Sequence, residues 1–516
     1  MNKYVVILLL GITCLLTACG YKEYLQQQLG TPAPSGSAVS GGGMRDRNHE
    51  SDPLTGQWGL ETSSGDAVGE MEDTAASGAV ISGSGIASAD YVTASMQTAD
   101  YWIARTLVPD KVLMSAEEIA AFNEKMMKQL STNSEAGYYD LSSYGDTISK
   151  EELTALIQRT DFSKGTYYMP ERQVTEELWQ EYDENKNLSA LKEKNPLGYG
   201  IVCTSADVRE IPLSEYITDK KGDTGHDILQ NTVLAVNEPV LILHASKDGQ
   251  WFYVAANEYT GWVEQNNIGL CKDKGAWQKA QEMKRFLVVT GDKVSLEQQV
   301  ISMGTRLALA TEEEYQKAFP EAGRVYDNYI VKIPYRDEKG ELQYGINTLP
   351  VSRDVQEGYM EYTRANVLRQ SFKMLGNTYG WGGSNGDRDC SSMVRDIYLC
   401  FGLRLPRNSS AQALIPGEGR RDLSGKKETE KKTAVQSVEP GTVLQMPGHV
   451  MIYLGCVEQQ YFVISANGEF VPASVTGEIP AGDYTTRRVT VNTLGVRSPS
   501  NQQTWLSQIT TIVGIP

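Results

Sequence analysis

Tyr379-Gly-Trp-Gly-Gly383 and, shortly after it, Asp389-Cys390-Ser391-Ser392 form the stretch on which the reading of this chain turns. From Cys390 onward, Val394, Ile397 and Phe401 recur at helical spacing and Gly402 supplies a stop, so the cysteine opens a core-facing helix. A side chain in that first turn meets the positive end of the helix dipole and unpaired backbone N–H groups, which favour a thiolate. The flanking glycines, Asp389 and the two serines keep this helix start polar, which points to a nucleophile rather than a packed thiol. Farther on, Pro447-Gly448 makes a turn and Val450 to Leu454 reads as an apolar strand, whose alternation puts His449, Met451 and Tyr453 on one face. The chain has 4 histidines. His49 lies in a low-complexity stretch, and His226 and His244 lie in another module, so His449 is the imidazole available to Cys390.

Taken together, Tyr379-Gly-Trp-Gly-Gly383, Asp389-Cys390-Ser391-Ser392, Phe401-Gly-Leu-Arg-Leu-Pro-Arg-Asn-Ser409 and Gly448-His-Val-Met-Ile-Tyr-Leu-Gly455 resemble the NlpC-type family of bacterial cell-wall cysteine peptidases, which have a papain-like core. The resemblance implies Cys390 as nucleophile, His449 as its base and Tyr379 as a hydroxyl on the oxyanion side. It makes Asp389 and Ser391 the substrate-contacting pair beside the nucleophile. The family carries a His, Asn or Gln on the strand after the histidine strand, to orient the imidazole. In this chain Ser465 takes that place, with Asn467 as the alternative. Such a third group acts by fixing the tautomer of the base.

Upstream, Asp207-Val-Arg-Glu-Ile-Pro212, Asp227-Ile-Leu-Gln230, Ser246-Lys-Asp-Gly-Gln-Trp251 and Gly261-Trp-Val263 resemble the bacterial SH3-like domain found in front of such peptidases, and short β-rich runs separated by turns indicate a small barrel. A second, divergent barrel is expected around Asn328-Tyr-Ile-Val-Lys-Ile-Pro334. The N-terminus has a short apolar run from Tyr4 to Leu16, ending in Leu16-Thr-Ala-Cys19, which resembles the bacterial lipobox. Cleavage before Cys19 and acylation of that cysteine would anchor the chain to a membrane outside the cytoplasm.

The expected organisation is a lipoprotein signal peptide over 1–18, a flexible Gly/Ser-rich tether over 19–97, and a mostly helical region over 98–198. SH3-like barrels follow over 199–272 and 285–350, then an NlpC-type peptidase domain over 357–490 and a C-terminal tail over 491–516. The fold class is multidomain α+β: a papain-like cysteine peptidase domain preceded by two small SH3-like β-barrels and a helical N-terminal segment.

A formal net charge of −17 argues against nucleic acid as partner. No Walker loop, dinucleotide fingerprint, HExxH or clustered ligand set is visible, so no cofactor and no metal are expected. Cys203 and Cys271 flank the first barrel and could close a disulfide if the geometry allows it.

In relatives of this architecture the first barrel closes one end of the groove. That implies a substrate with a free N-terminal amine, for which Asp389, Asp207, Glu210 and Asp227 are candidate partners. The resemblance thus implies a γ-D-glutamyl-diamino acid endopeptidase acting on muropeptides with N-terminal L-Ala. An endopeptidase or amidase on intact peptidoglycan, and a non-catalytic wall-binding lipoprotein, are the alternatives.

Overall fold

The computed structural model describes residues 91–133, 136–296, 299–473 and 484–516. Cys19, the signal peptide and most of the expected tether lie outside the described residues. Among the described residues no helix is long and apolar enough to cross a membrane.

The C-terminal half is built on a 6-stranded antiparallel sheet in the order Arg421–Asp422, Thr511–Ile512, Val443–Met446, His449–Val457, Gln460–Glu469, Thr485–Thr493. The Cys390–Leu399 helix packs on one face through Met393, Val394 and Ile397, against Val450, Ile452, Ile464 and Val491. Asp389 and Ser392 cap that helix reciprocally, each side chain satisfying the other's backbone N–H, and so fix where it begins. On the sheet side Met446 pairs with His449 across a two-residue turn, in which Gly448 adopts φ +75°. A residue with a β-carbon would be strained there, so this turn places His449 at the first position of its strand.

Two parts of the chain go elsewhere than expected. The stretch 491–516 is no tail: Thr511–Ile512 is a strand of the sheet, and Trp505, Ile509 and Ile512 are buried. The region 98–198 is divided among three cores, one of which joins Phe162, Val174 and Trp179 to Ile211, Ile217 and Leu229. Trp102 packs on Phe462 with ring centroids 5.3 Å apart, and Ile119, Met126 and Leu130 of the Ala116–Leu130 helix join the core that holds Cys390. Leu141, Ile148, Leu153 and Ile157 instead pack beneath the first barrel with Trp251 and Trp262. Elements this short bury their apolar stripe only against a larger partner.

The first barrel is a 7-stranded antiparallel sheet running from Gly198 to Cys271. The second has a 5-stranded sheet and a separate hairpin, Lys293–Leu296 with Gln299–Ser302. Its last strand, Val355–Glu357, lies beyond residue 350. Cys203 and Cys271 are both free thiols.

The first barrel sits directly on the loop before the nucleophile. A β-carbon on Gly382 would lie 2.5 Å from the Gln230 carbonyl oxygen, and one on Gly383 would lie 2.6 Å from a Val233 methyl. Both glycines have positive φ. The Gly-Gly pair is therefore the seat on which the Gln230–Leu234 strand rests, and the Gln230 amide donates to the Gly382 carbonyl at 3.2 Å.

Candidate active site

Cys390 is 7% exposed, and its thiol lies against the backbone N–H of Val450, the residue after His449. Helix and strand thus bring Cys390 beside the strand that His449 opens. The expected thiolate is corrected by the surroundings. Burial, and after it the adjacent Asp389 carboxylate, push the thiol up to about 12, against the Val450 and Ser391 N–H groups and Arg407. Desolvation outweighs the dipole of the helix start.

His449 is held by an uncharged chain. Its Nε2 lies 3.0 Å from the Ser465 hydroxyl, which lies 3.1 Å from Asn467 Oδ1. Asn467 Nδ2 reaches the Ser465 carbonyl at 2.8 Å and the Thr490 hydroxyl at 2.8 Å. A backbone carbonyl only accepts, so that contact fixes which end of the amide carries the hydrogens. The remaining directions follow: Oδ1 accepts from the Ser465 hydroxyl, whose lone pair then accepts from His449 Nε2–H. The imidazole is left as the tautomer with Nδ1 unprotonated, which is the form a general base requires. Burial holds its pKa down at about 4, although Asp389 and the Asn467 amide favour the charged form. Trp505 covers the ring at a centroid distance of 4.8 Å.

The nucleophile's surroundings are ionic. Arg407 donates to Asp389 Oδ2 at 2.5 Å and Oδ1 at 3.0 Å, to the Ser391 hydroxyl at 2.9 Å and to the Thr232 hydroxyl of the first barrel at 2.7 Å. Burial alone would raise the Asp389 pKa, but Arg407 and the Ser392 contacts hold it below the usual carboxylate range. Gln412 donates to the carbonyls of Ser391 and Pro406 and so ties the Arg407 loop to the helix. Tyr379 is half-buried beside this cluster. Burial first, then the charges of Cys390 and Asp389, raise its pKa far above the ordinary value, so it stays a neutral hydroxyl donor.

The carboxylates proposed for substrate fall into two groups. Glu210 is buried in a pair with Arg159 and also accepts from Thr160 and Asn231. Asp227 is buried against Arg209 at 2.6 Å and accepts the N–H groups of Ile217 and Leu229. Both serve the barrel's own architecture. Asp389 is likewise enclosed by Arg407, and Ser391 is held by the same guanidinium. Asp207 differs: it is exposed, it accepts from the Gln230 amide at 2.8 Å, and that amide also touches Gly382. Of the four carboxylates it is the one with a face left for a ligand.

Sequence reasoning passed over Arg407, Gln412, Thr490 and Trp505 as site residues. Only Arg407 carried a local signal, an arginine set between Leu405-Pro406 and Asn408-Ser409. Among the described residues no group of His, Cys, Asp and Glu side chains is arranged to hold a metal ion.

The profile of the NlpC/P60 family matches residues 376–498, and that of the SH3 domain of SH3b1 type matches residues 217–264. The chain therefore carries an NlpC/P60 domain, from a family of cysteine peptidases and amidases, behind an SH3b domain. Among solved structures it is similar to an NlpC/P60 endopeptidase from Photobacterium damselae subsp. piscicida, with 18% identity, 83% of this chain and 98% of that chain covered, and a TM-score of 0.62. It also matches an NlpC/P60 family protein from Bacillus cereus, with 16% identity, 62% and 100% coverage, and a TM-score of 0.41. The first likeness is one of fold. No curated protein sequence is significantly similar to the chain.

Proposed function

We propose that the chain is a cysteine endopeptidase that hydrolyses the γ-D-glutamyl-diamino acid bond of peptidoglycan stem peptides bearing a free N-terminal L-Ala. The observation that carries this reading is the meeting of Cys390, at the start of its helix, with the His449 strand, together with a relay that leaves His449 Nδ1 free to take a proton. In the acylation step Nδ1 removes the thiol proton as Sγ attacks the γ-glutamyl carbonyl. The Cys390 backbone N–H and the Tyr379 hydroxyl donate to the developing oxyanion. The C–N bond then breaks, His449 protonates the departing amine, and water activated by the same imidazole hydrolyses the thioester.

The first barrel supports the preference for a free amine. It is seated on Gly382 and Gly383, and Asp207 is open beside that contact, so a positively charged substrate terminus would find a carboxylate there. The family and domain order point to peptidoglycan-related binding. The lipobox-like Leu16-Thr-Ala-Cys19 supports anchoring to a membrane outside the cytoplasm.

Mass spectrometry of L-Ala-γ-D-Glu-diaminopimelate incubated with the protein tests the reading, alongside the N-acetylated peptide and the Cys390→Ala variant. Release of L-Ala-D-Glu, lost on acetylation and on Cys390→Ala, is expected. Equal cleavage of the acetylated peptide would shift the reading to an endopeptidase on intact wall. Failure on every peptide and on whole sacculi would leave a binding module.

A further inference from the structure

The segment 377–388 leads into the nucleophile and carries both Tyr379 and the Gly382-Gly383 seat of the first barrel. Its backbone has positive φ at Gly382, Gly383, Asn385 and Gly386, so its course departs from a regular helix. Such a loop keeps one shape only where its surroundings fix it. The first barrel fixes the middle, and one side chain of the second barrel holds both ends. Asp292 lies in the turn between the strands Phe286–Val289 and Lys293–Leu296. Its Oδ2 accepts from the Asn377 amide at 2.7 Å; its Oδ1 accepts from Arg388, which also donates to the Asp292 carbonyl at 3.0 Å. Asn377 stands two residues before Tyr379, and Arg388 two before Cys390. The ends of the loop also meet directly, where the Gly380 N–H donates to the Arg388 carbonyl at 3.0 Å.

Neither partner of this grip is free to turn. Arg388 is buried, and its third nitrogen donates to Asp396 of the nucleophile's helix at 2.7 Å, so rotating the guanidinium would strand a charge. Beside Asp292, Lys293 pairs with Asp387 at 3.0 Å and adds a second tie to the end of the loop. The Thr290 carbonyl accepts from Gln370 at 2.7 Å and from Lys373 at 3.0 Å, which anchors the turn itself on the Arg364–Phe372 helix and its C-cap. The separation between the Tyr379 hydroxyl and the thiol is therefore set partly from the second barrel. A donor to an oxyanion tolerates little displacement, since misplacement by about 1 Å costs up to about 10²-fold in rate.

We infer, on the peptidase reading proposed above, that Asp292 is a positioning residue: by joining Asn377 to Arg388 it sets the Tyr379 hydroxyl against Cys390 and makes the second barrel part of the active site. Steady-state hydrolysis of L-Ala-γ-D-Glu-diaminopimelate by the full chain tests it. Asp292→Ala should lower kcat at least about tenfold with KM little changed. In a Tyr379→Phe background the same substitution should cost less than about twofold, because no hydroxyl remains to be placed. Asp354→Ala breaks the exposed pair with Lys373, at 3.3 Å, which joins the same barrel to the peptidase domain without touching the loop, and should leave kcat unchanged. Asn377→Ala releases one end alone, at less risk to folding, and should lower kcat by a smaller factor, about threefold. Unchanged kcat in both Asp292→Ala and Asn377→Ala, a loss as large in the Tyr379→Phe background, or an equal loss in Asp354→Ala would overturn the inference. Hydrogen exchange reads the grip without any substrate: the Gly380 amide should exchange at least about tenfold faster in Asp292→Ala. Should the parent cleave no peptide, the proposed reaction falls and exchange alone decides, faster exchange sustaining the grip and unchanged protection of Gly380 overturning it.

Discussion

The nucleophile and the imidazole are delivered by scaffolds of opposite character. Around Cys390 the fixed points are charges: Arg407 grips Asp389 with two nitrogens and reaches across to Thr232 of the first barrel. Around His449 they are neutral groups, Ser465, Asn467 and Thr490, hydrogen-bonded in series. A buried ion pair fixes position, but breaking it leaves a stranded charge. A neutral relay gives up strength for direction, because a backbone carbonyl at one end dictates every hydrogen up to the imidazole. The pair thus has one member placed by electrostatics and the other given its tautomer by hydrogen-bond logic.

The sharpest way to break this contrast is Arg407→Ala. It leaves the Asp389 carboxylate buried and unpaired and should cost about 3–5 kcal/mol in denaturant unfolding. Arg407→Lys should restore little, since a lysine lacks the two-pronged geometry. A loss below about 1 kcal/mol would mean the ionic scaffold is dispensable.

On the neutral side, Ser465→Ala removes the acceptor for Nε2–H. It should lower kcat about 10²-fold with KM little changed, whereas Ser465→Thr keeps the hydroxyl and most of the rate. A rise in KM at constant kcat would assign Ser465 to substrate rather than to the base.

The two sides also differ in their response to acid. His449 titrates at about 4 in the fold against an ordinary 6.5. Between those values the unfolded chain binds a proton that the folded chain does not. Stability should therefore fall as pH drops through this window, by up to about 1.4 kcal/mol per pH unit, and His449→Gln should flatten that slope. The Asp389 pKa is depressed, so its contribution is present above the usual carboxylate range and is lost only as pH falls below it. Thr490→Val, at the far end of the relay, is the smallest perturbation. Asn467 keeps the Ser465 carbonyl, so a cost of about 1 kcal/mol is expected, with activity nearly intact.

What could be read in the sequence follows the same division. Cys390 and His449 sit in short local patterns, a helix start and a turn before a strand, and such patterns survive without knowledge of the fold, whereas Ser465 was reached only through the family resemblance, with Asn467 as the alternative. The first barrel showed itself through strand alternation and turn residues. Trp102 and Trp505 could not be placed, because each lies in a helix of four or five residues whose burial depends on a sheet far away in the chain. The pairing of Arg407 with Asp389 is nonlocal for the same reason. Glu210 and Asp227 looked available because their arginine partners, Arg159 and Arg209, are revealed only by the folded barrel. The thiolate expected at the helix start was set aside by burial, which a sequence does not display.

With only 4 histidines in the chain, ¹⁵N-histidine NMR reads the central claim directly, with His449→Gln assigning the resonance. A neutral His449 at pH 7 with its proton on Nε2 is expected, turning to a mixture of tautomers in Ser465→Ala. A proton on Nδ1 in the parent protein, or an imidazolium at pH 7, would contradict it.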